Sequence, residues 1–486
     1  MSLAPRAARG TSVTVFGQVL KFAIQASSIL ILARIIPPAE FGVFTMVAAI
    51  AALAAVVGDF GLSFAAIQAP IITAKERTNL FWLNLCIGAL GSGTMFACAP
   101  LIADFYGEPR LTPVAQWMSL SFILLSLAVQ HRAQLTREMR FGLLAGAEIA
   151  AQAVGLAVAV PIALSGAGVM ALVAQQLTAY GVLLVTALLG ARWLPGLPSF
   201  STSIRSYVRY GSHTMGGALV NYASTNVDKI AIGASASAAD LGIYGRMYQL
   251  FSLPLQQLAA PLTRVALPTL SKLLQEPRRY EAFLVRAQLC LAYSFGLGFA
   301  FIFGTANELV PLVLGPGWQD GISVLQVLCI GGFFQGIGYV NYWVFLSRGR
   351  MDIQLWLGIA TRSITVVAVI LASTISILWV AGAVAAGLVL NWIVYSTLGM
   401  RMVGLRPSVV LRNALWPMII SIPAAILLSW ISEYLQISMS AGLPVLVASA
   451  TLLIYVGVCV VLIPQVRRDA RAIVATMTMA VRRTSQ

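Results

Sequence analysis

Lys21 lies inside an apolar run, flanked by Thr14, Gln18 and Gln25 at steps of four, three and four residues, which puts all four on one face of a helix. Such a stripe must face protein or water, not hydrocarbon. Counted from Thr11 at 1.5 Å per residue, the lysine is roughly 15 Å along its helix, near a bilayer midplane, where a charge costs several kcal/mol. Two uses fit it: a salt bridge to a buried acid such as Glu148 or Asp59, or the wall of a hydrated cavity that receives an anion.

Arg362 repeats the pattern, about nine residues into the apolar run that begins near Ile353, again at mid-membrane depth. Arg246, Gln249, Gln257 and Arg264 fall within about 80° of one another on a helical projection, on a helix interrupted by Pro254 and Pro261. Arg246, roughly 10 Å below the outer surface, suits a cavity wall, whereas Arg264 fits the cytoplasmic basic belt. Asn221, Thr225 and Asp228 share a face of the preceding helix. Asp228 beside Lys229 reads as local charge balance, with proton or ion coupling as the alternative. Gln116, Ser119, Ser126 and Gln130 form an uncharged stripe that can bond a sugar or, the better reading, tie helices together. Single polar residues such as Asn84 give no spacing signal. Lys21, Arg246 and Arg362 outweigh Glu148 and the Asp228/Lys229 pair at depth, and basic, water-lined cavities attract anions. The expected substrate is phosphorylated or acidic.

Other chemistries find no residues. Cys86, Cys98, Cys290, Cys329 and Cys459 fall at no metal-ligand spacing, and there are only two histidines. No GxxxxGK[ST] loop is present for nucleotide hydrolysis. The expectation is therefore no catalytic residues, metal or cofactor, with any active transport drawing on a proton or sodium gradient or on substrate chemistry elsewhere.

The elements that hold these residues follow from composition. Hydrophobic residues make up 59% of the chain and charged ones 10%, far from the roughly 25% charged of soluble domains. Apolar runs give about fourteen spans, at 11–34, 40–58, 80–103, 112–131, 141–163, 168–191, 207–234, 239–270, 282–305, 320–346, 353–374, 377–399, 412–432 and 441–463. Arg6, Arg9, Lys75, Arg77, Arg137 and Arg140, with later arginines, fall in alternate loops, while the opposite loops carry only Arg34 and Arg110 among several acids. That bias puts both termini in the cytoplasm. The net charge of +15, spread in this way, points to insertion and to anionic lipid head groups, not to nucleic acid.

Ala39-Glu40-Phe41-Gly42-Val43-Phe44 recurs as Ala239-Asp240-Leu241-Gly242-Ile243-Tyr244, and Phe16-Gly17 is echoed by Tyr210-Gly211. A duplicated helical unit indicates a transporter of two similar halves with the substrate path between them. The expected fold is an all-α polytopic membrane protein, with residues 1–200 as an N-terminal lobe of spans 1–6. Residues 201–400 form a second lobe of spans 7–12, and 401–486 add two spans and a basic cytoplasmic tail.

The run from Leu32 to Gly42, Asp59-Phe60-Gly61-Leu62, Ala66-Ile67-Gln68, Asp228-Lys229, Ile232-Gly233, Leu241-Gly242-Ile243-Tyr244, Pro254, Pro261 and Val265-Ala266-Leu267-Pro268 resemble the polysaccharide transport family of O-antigen and exopolysaccharide flippases. Gly166-Ala167-Gly168 with Ala171-Leu172-Val173-Ala174 is similar to its sixth-helix pattern. The likeness covers roughly residues 11–350. It implies the multidrug/oligosaccharidyl-lipid/polysaccharide exporter fold, with two lobes that open alternately around a central cavity. It further implies an undecaprenyl-diphosphate-linked oligosaccharide as cargo, carried across the bacterial inner membrane, with a polysaccharide polymerase and a chain-length regulator as candidate partners. Lys21, Arg246 and Arg362 fit the family's basic cavity by type and depth. A multidrug exporter of the same superfamily is the alternative, but cationic drugs favour acids and aromatics. A membrane glycosyltransferase or polymerase calls for a long outer loop, and the longest here, around Glu308 to Asp320, is short.

Overall fold

A computed structural model describes residues 3–199, 201–436 and 442–473, which form helices and connecting turns with no strand among them. The chain divides into two compact units, Met1–Gly242 and Ile243–Gln486.

The first unit contains α1 (Leu3–Ile35), α2 (Pro38–Ala51), α3 (Leu53–Asp59), α4 (Leu62–Gln68), α5 (Ala74–Tyr106), α6 (Leu111–Met118), α7 (Leu120–Arg137), α8 (Phe141–Leu164), α9 (Val169–Ala191) and α10 (Arg205–Ser235). Next comes α11 (Ala238–Lys272), whose first residues belong to this unit. The second unit continues with α12 (Pro277–Gly304), α13 (Ala306–Leu314), α14 (Ile322–Ser347), α15 (Met351–Ser373), α16 (Ile377–Val394), α17 (Met400–Met402), α18 (Pro407–Gln436) and α19 (Gly442–Leu462).

Among the described residues, 11 helices are long and apolar enough to cross a membrane, against the fourteen spans expected. Asn226, Asp228 and Lys229 make α10 polar, and Arg246, Gln249, Gln256 and Gln257 do the same for α11. Arg362 and Glu148, by contrast, lie on α15 and α8, which are apolar enough to span. Two stretches expected as loops are helical: α4 and the start of α5 occupy much of 59–79, and α13 with a 3-10 turn fills the outer segment around Glu308 to Asp320. Moreover, α11 runs as one helix through Pro254.

The repeated phrase has a packing reason. A Cβ on Gly42 would stand 1.6 Å from the Ala238 carbonyl oxygen, and one on Gly242 would stand 1.9 Å from that of Pro38. Each copy therefore lays bare backbone on the opening turn of the other, an approach only glycine permits. The acids of the two copies differ in use. Asp240 caps its own helix, accepting from the Ser237 backbone N–H at 3.3 Å while the Ser237 hydroxyl accepts from the Asp240 N–H at 3.1 Å. Glu40 instead accepts from the Val169 N–H and from Arg110, both at 2.8 Å, tying α2 to the start of α9 and the α5–α6 loop. Arg110 also bonds Glu108 at 2.9 Å, which holds the Glu108 carboxyl below its ordinary range.

The apolar helical stretch Pro38–Gln68 is broken near its end. Phe60 (φ 50°) and Gly61 (φ 67°) sit in the left-handed region between α3 and α4. In an apolar medium the freed backbone groups need partners, and neighbouring helices supply them. Asn84 of α5, fully buried, donates to the carbonyls of Gly58 (2.6 Å) and Asp59 (3.1 Å), and Gln130 of α7 donates to Asn84 at 2.8 Å. The Asp59 carboxylate caps α4, accepting from the Ser63 N–H at 3.0 Å and its hydroxyl at 2.8 Å. Arg137 closes the other end on the carbonyls of Ala66 and Ala69.

In the second unit, Phe251, Phe295 and Phe299 pack ring on ring, and Gly332 and Gly336 of α14 leave room for them. Two donors link helices here: Gln288 donates to the Val410 carbonyl at 2.7 Å and Trp343 to the Thr263 hydroxyl at 2.8 Å.

Candidate functional site

Three helices of the first unit bring charges together. Lys21 of α1 donates to Glu148 Oε2 of α8 at 2.7 Å, and Arg132 of α7 reaches Glu148 Oε1 at 3.4 Å. None of the three is buried away: the side chains are 41% (Lys21), 38% (Arg132) and 37% (Glu148) exposed. Helix rise gives their depth. Lys21 precedes Arg34 by thirteen residues, roughly 20 Å, while Glu148 follows Phe141 by roughly 10 Å and Arg132 precedes Arg137 by roughly 8 Å. In a hydrocarbon core about 30 Å thick, these distances place the cluster inside the core, nearer the end rich in arginine.

Of the two uses expected of Lys21, the pairing with an acid is the one seen, and the side chain is also partly exposed. The acid is Glu148, not Asp59, which is spent on capping α4. Farther along the same face of α1, Ser28 accepts from Gln175 of α9 at 2.8 Å, so the polar stripe faces neighbouring helices. Gln18 is exposed and Gln25 partly buried along it.

The other basic residues of this end have different partners. Arg77 donates to Gln134 at 2.7 Å with its guanidinium 4.1 Å from the Trp193 ring centre, and Arg140 donates to the Gly190 carbonyl at 2.6 Å. Arg132, by contrast, shares the acid of Lys21. In the sequence it reads as one more member of the basic belt, and no spacing rule links it to position 148.

In the second unit Arg246 donates to Gln249, one turn on along α11, and both are partly buried, as is Gln257 two turns farther. Arg362 is exposed on α15. In the first unit Asp228 is buried and accepts from the Lys229 N–H at 2.9 Å, while the Lys229 ammonium donates to Asn226 at 3.0 Å. The side chains of Thr14, Asn221, Pro261 and Arg264 lie outside the described residues. Among the described residues no group of three or more His, Cys, Asp or Glu side chains is placed to hold a metal ion.

The sequence profile of a family described as polysaccharide biosynthesis protein matches residues 31–323, more than half of the chain. The chain belongs to this family. The matched segment contains Asp59, Arg132, Glu148, Asp228, Lys229, Arg246, Gln249 and Gln257, while Gln18, Lys21, Gln25 and Arg362 lie outside it. The chain is 27% identical over 359 residues to the lipopolysaccharide biosynthesis protein WzxC of Escherichia coli (strain K12), covering 73% of this chain and 72% of that one. It is also 26% identical over 307 residues to the teichuronic acid biosynthesis protein TuaB of Bacillus subtilis (strain 168), covering 62% and 63%. Among solved structures, the lipid II flippase MurJ in an inward closed conformation matches with a TM-score of 0.72 at 12% identity, over 93% of this chain and 98% of that one. At that identity the likeness is one of fold.

Proposed function

We propose that this protein flips a lipid-linked oligosaccharide, carried on undecaprenyl diphosphate, from the cytoplasmic to the periplasmic leaflet of a bacterial inner membrane, by alternating access. The observation that carries the reading is the convergence of Lys21 and Arg132, two accessible cations inside an apolar helical unit, in a member of the polysaccharide biosynthesis family. A cargo with a charged head and a hydrocarbon tail needs such a place. The tail stays in lipid, and only the diphosphate must be shielded from hydrocarbon. Lys21, Gln18 and Gln25 of α1, Arg246, Gln249 and Gln257 of α11, and Arg362 of α15 are the residues assigned to the aqueous path. The names of WzxC, TuaB and MurJ, a lipopolysaccharide protein, a teichuronic acid protein and a lipid II flippase, support the same substrate class. A proton or sodium gradient supplies the energy in this reading, and a polymerase acts on the delivered unit.

The test is mass spectrometry of lipid extracts from a conditional depletion strain with no redundant flippase. Polyprenyl-diphosphate oligosaccharide should accumulate on the cytoplasmic leaflet as the protein is lost. Unchanged lipid-linked sugars would point instead to export of a drug or metabolite.

A further inference from the structure

We infer that Glu148 is a built-in counter-anion of the basic site: it holds Lys21 and Arg132 until the phosphate of an anionic ligand takes its place, and it then drives that ligand off. This rests on the flippase reading and concerns the regulation of the same site. Each carboxylate oxygen of Glu148 serves one cation, Oε2 for Lys21 at 2.7 Å and Oε1 for Arg132 at 3.4 Å. The carboxylate thus occupies the position between two cations that a phosphate oxygen pair would want.

The surroundings separate this pairing from ordinary helix glue. Neighbouring cations of this end are anchored by groups that no ligand removes cheaply: Arg137 by the carbonyls that close α4, Arg140 by the Gly190 carbonyl in addition to Glu138 at 3.5 Å, Arg77 by Gln134 and Trp193. Lys21 and Arg132 have only one shared carboxylate between them as a charged partner, and all three side chains are more than one third exposed. Ion pairs this open are weak and exchangeable. A diphosphate brings more charge and more acceptor oxygens than one carboxylate, so it wins both cations. Once displaced, Glu148 lies beside a like charge, and that repulsion lowers affinity and speeds release. A transporter needs such a limit, because a site that holds its cargo too tightly does not turn over.

The experiment uses the full-length protein in detergent, with farnesyl diphosphate as the probe and farnesol as the control, read by calorimetry alongside a thermal melt. Glu148→Gln should keep the melting temperature and bind the diphosphate about tenfold tighter, equivalent to about 1.4 kcal/mol of removed competition. Lys21→Ala should weaken binding by at least about tenfold, with farnesol unaffected in every variant. If Glu148→Gln does not purify, Glu148→Asp answers the same question: its shorter arm loosens the grip on Lys21, and affinity should still rise. Wild-type binding with no tightening in either Glu148 variant overturns the counter-anion role and leaves the flippase reading intact. Absence of diphosphate binding by both wild type and variants overturns the anion site, and the inference with it.

Discussion

Asn84 shows how much one side chain can hold. Its amide answers two carbonyls left over where α3 ends, and its own oxygen is answered by Gln130. Asn84→Leu would leave the Gly58 and Asp59 carbonyls buried without a donor, at about 1–3 kcal/mol for each unsatisfied group. The purified variant should melt at a clearly lower temperature, whereas Lys21→Ala, which opens a half-exposed ion pair worth about 0–1 kcal/mol, should melt close to the wild type. The contrast separates residues that hold the fold from those that serve the site. Legibility in the sequence divides along the same line. A lysine inside an apolar run announces itself, and because few acids lie at depth its partner could be narrowed to Glu148 or Asp59, with only the fold choosing Glu148. Arg132 and Asn84 could not be picked out: one is hidden among loop arginines, and the other is a lone amide whose role depends on a break in a different helix.

At the scale of elements, the informative contact is the crossing of the two copies of the repeat. Gly42 and Gly242 touch carbonyl oxygens of the opposite opening turn, so backbone meets backbone with no flexible side chain to give way. Gly42→Ala and Gly242→Ala should each cost more than the roughly 1–3 kcal/mol of ordinary core overpacking, seen as loss of monodisperse protein in fluorescence-detected size exclusion. Gly142→Ala on α8, where nothing lies within 4 Å of the added carbon, should behave as wild type. The repeat was plain in the sequence, while the reason for its glycines needed the fold. The break between α3 and α4 was hidden for a related cause. Phe60-Gly61 interrupts an apolar stretch, and hydropathy cannot tell a loop from a short helix whose ends are capped by Asp59 and Arg137.

For the whole molecule, composition and charge distribution were enough to indicate a helical membrane protein, since apolar runs leave few alternatives in lipid. The least apolar long helices, α10 and α11, carry Asp228, Lys229 and Arg246, as expected if polar function rather than lipid contact shaped them. The 11 membrane-suited helices among the described residues and membership of the polysaccharide biosynthesis family indicate a multi-pass membrane protein of that family; in the flippase proposal it also hides a charged head group while the tail stays in the bilayer. The most direct measurement is translocation in liposomes. Purified protein is reconstituted with a short-chain polyprenyl diphosphate bearing a fluorescent disaccharide, and the outward-facing fraction is followed with a membrane-impermeant quencher under proton and sodium gradients of either sign. A quenched fraction that rises above that of protein-free vesicles, and that requires the diphosphate, is the expected result. Quenching equal to that of protein-free vesicles under every gradient would contradict the account.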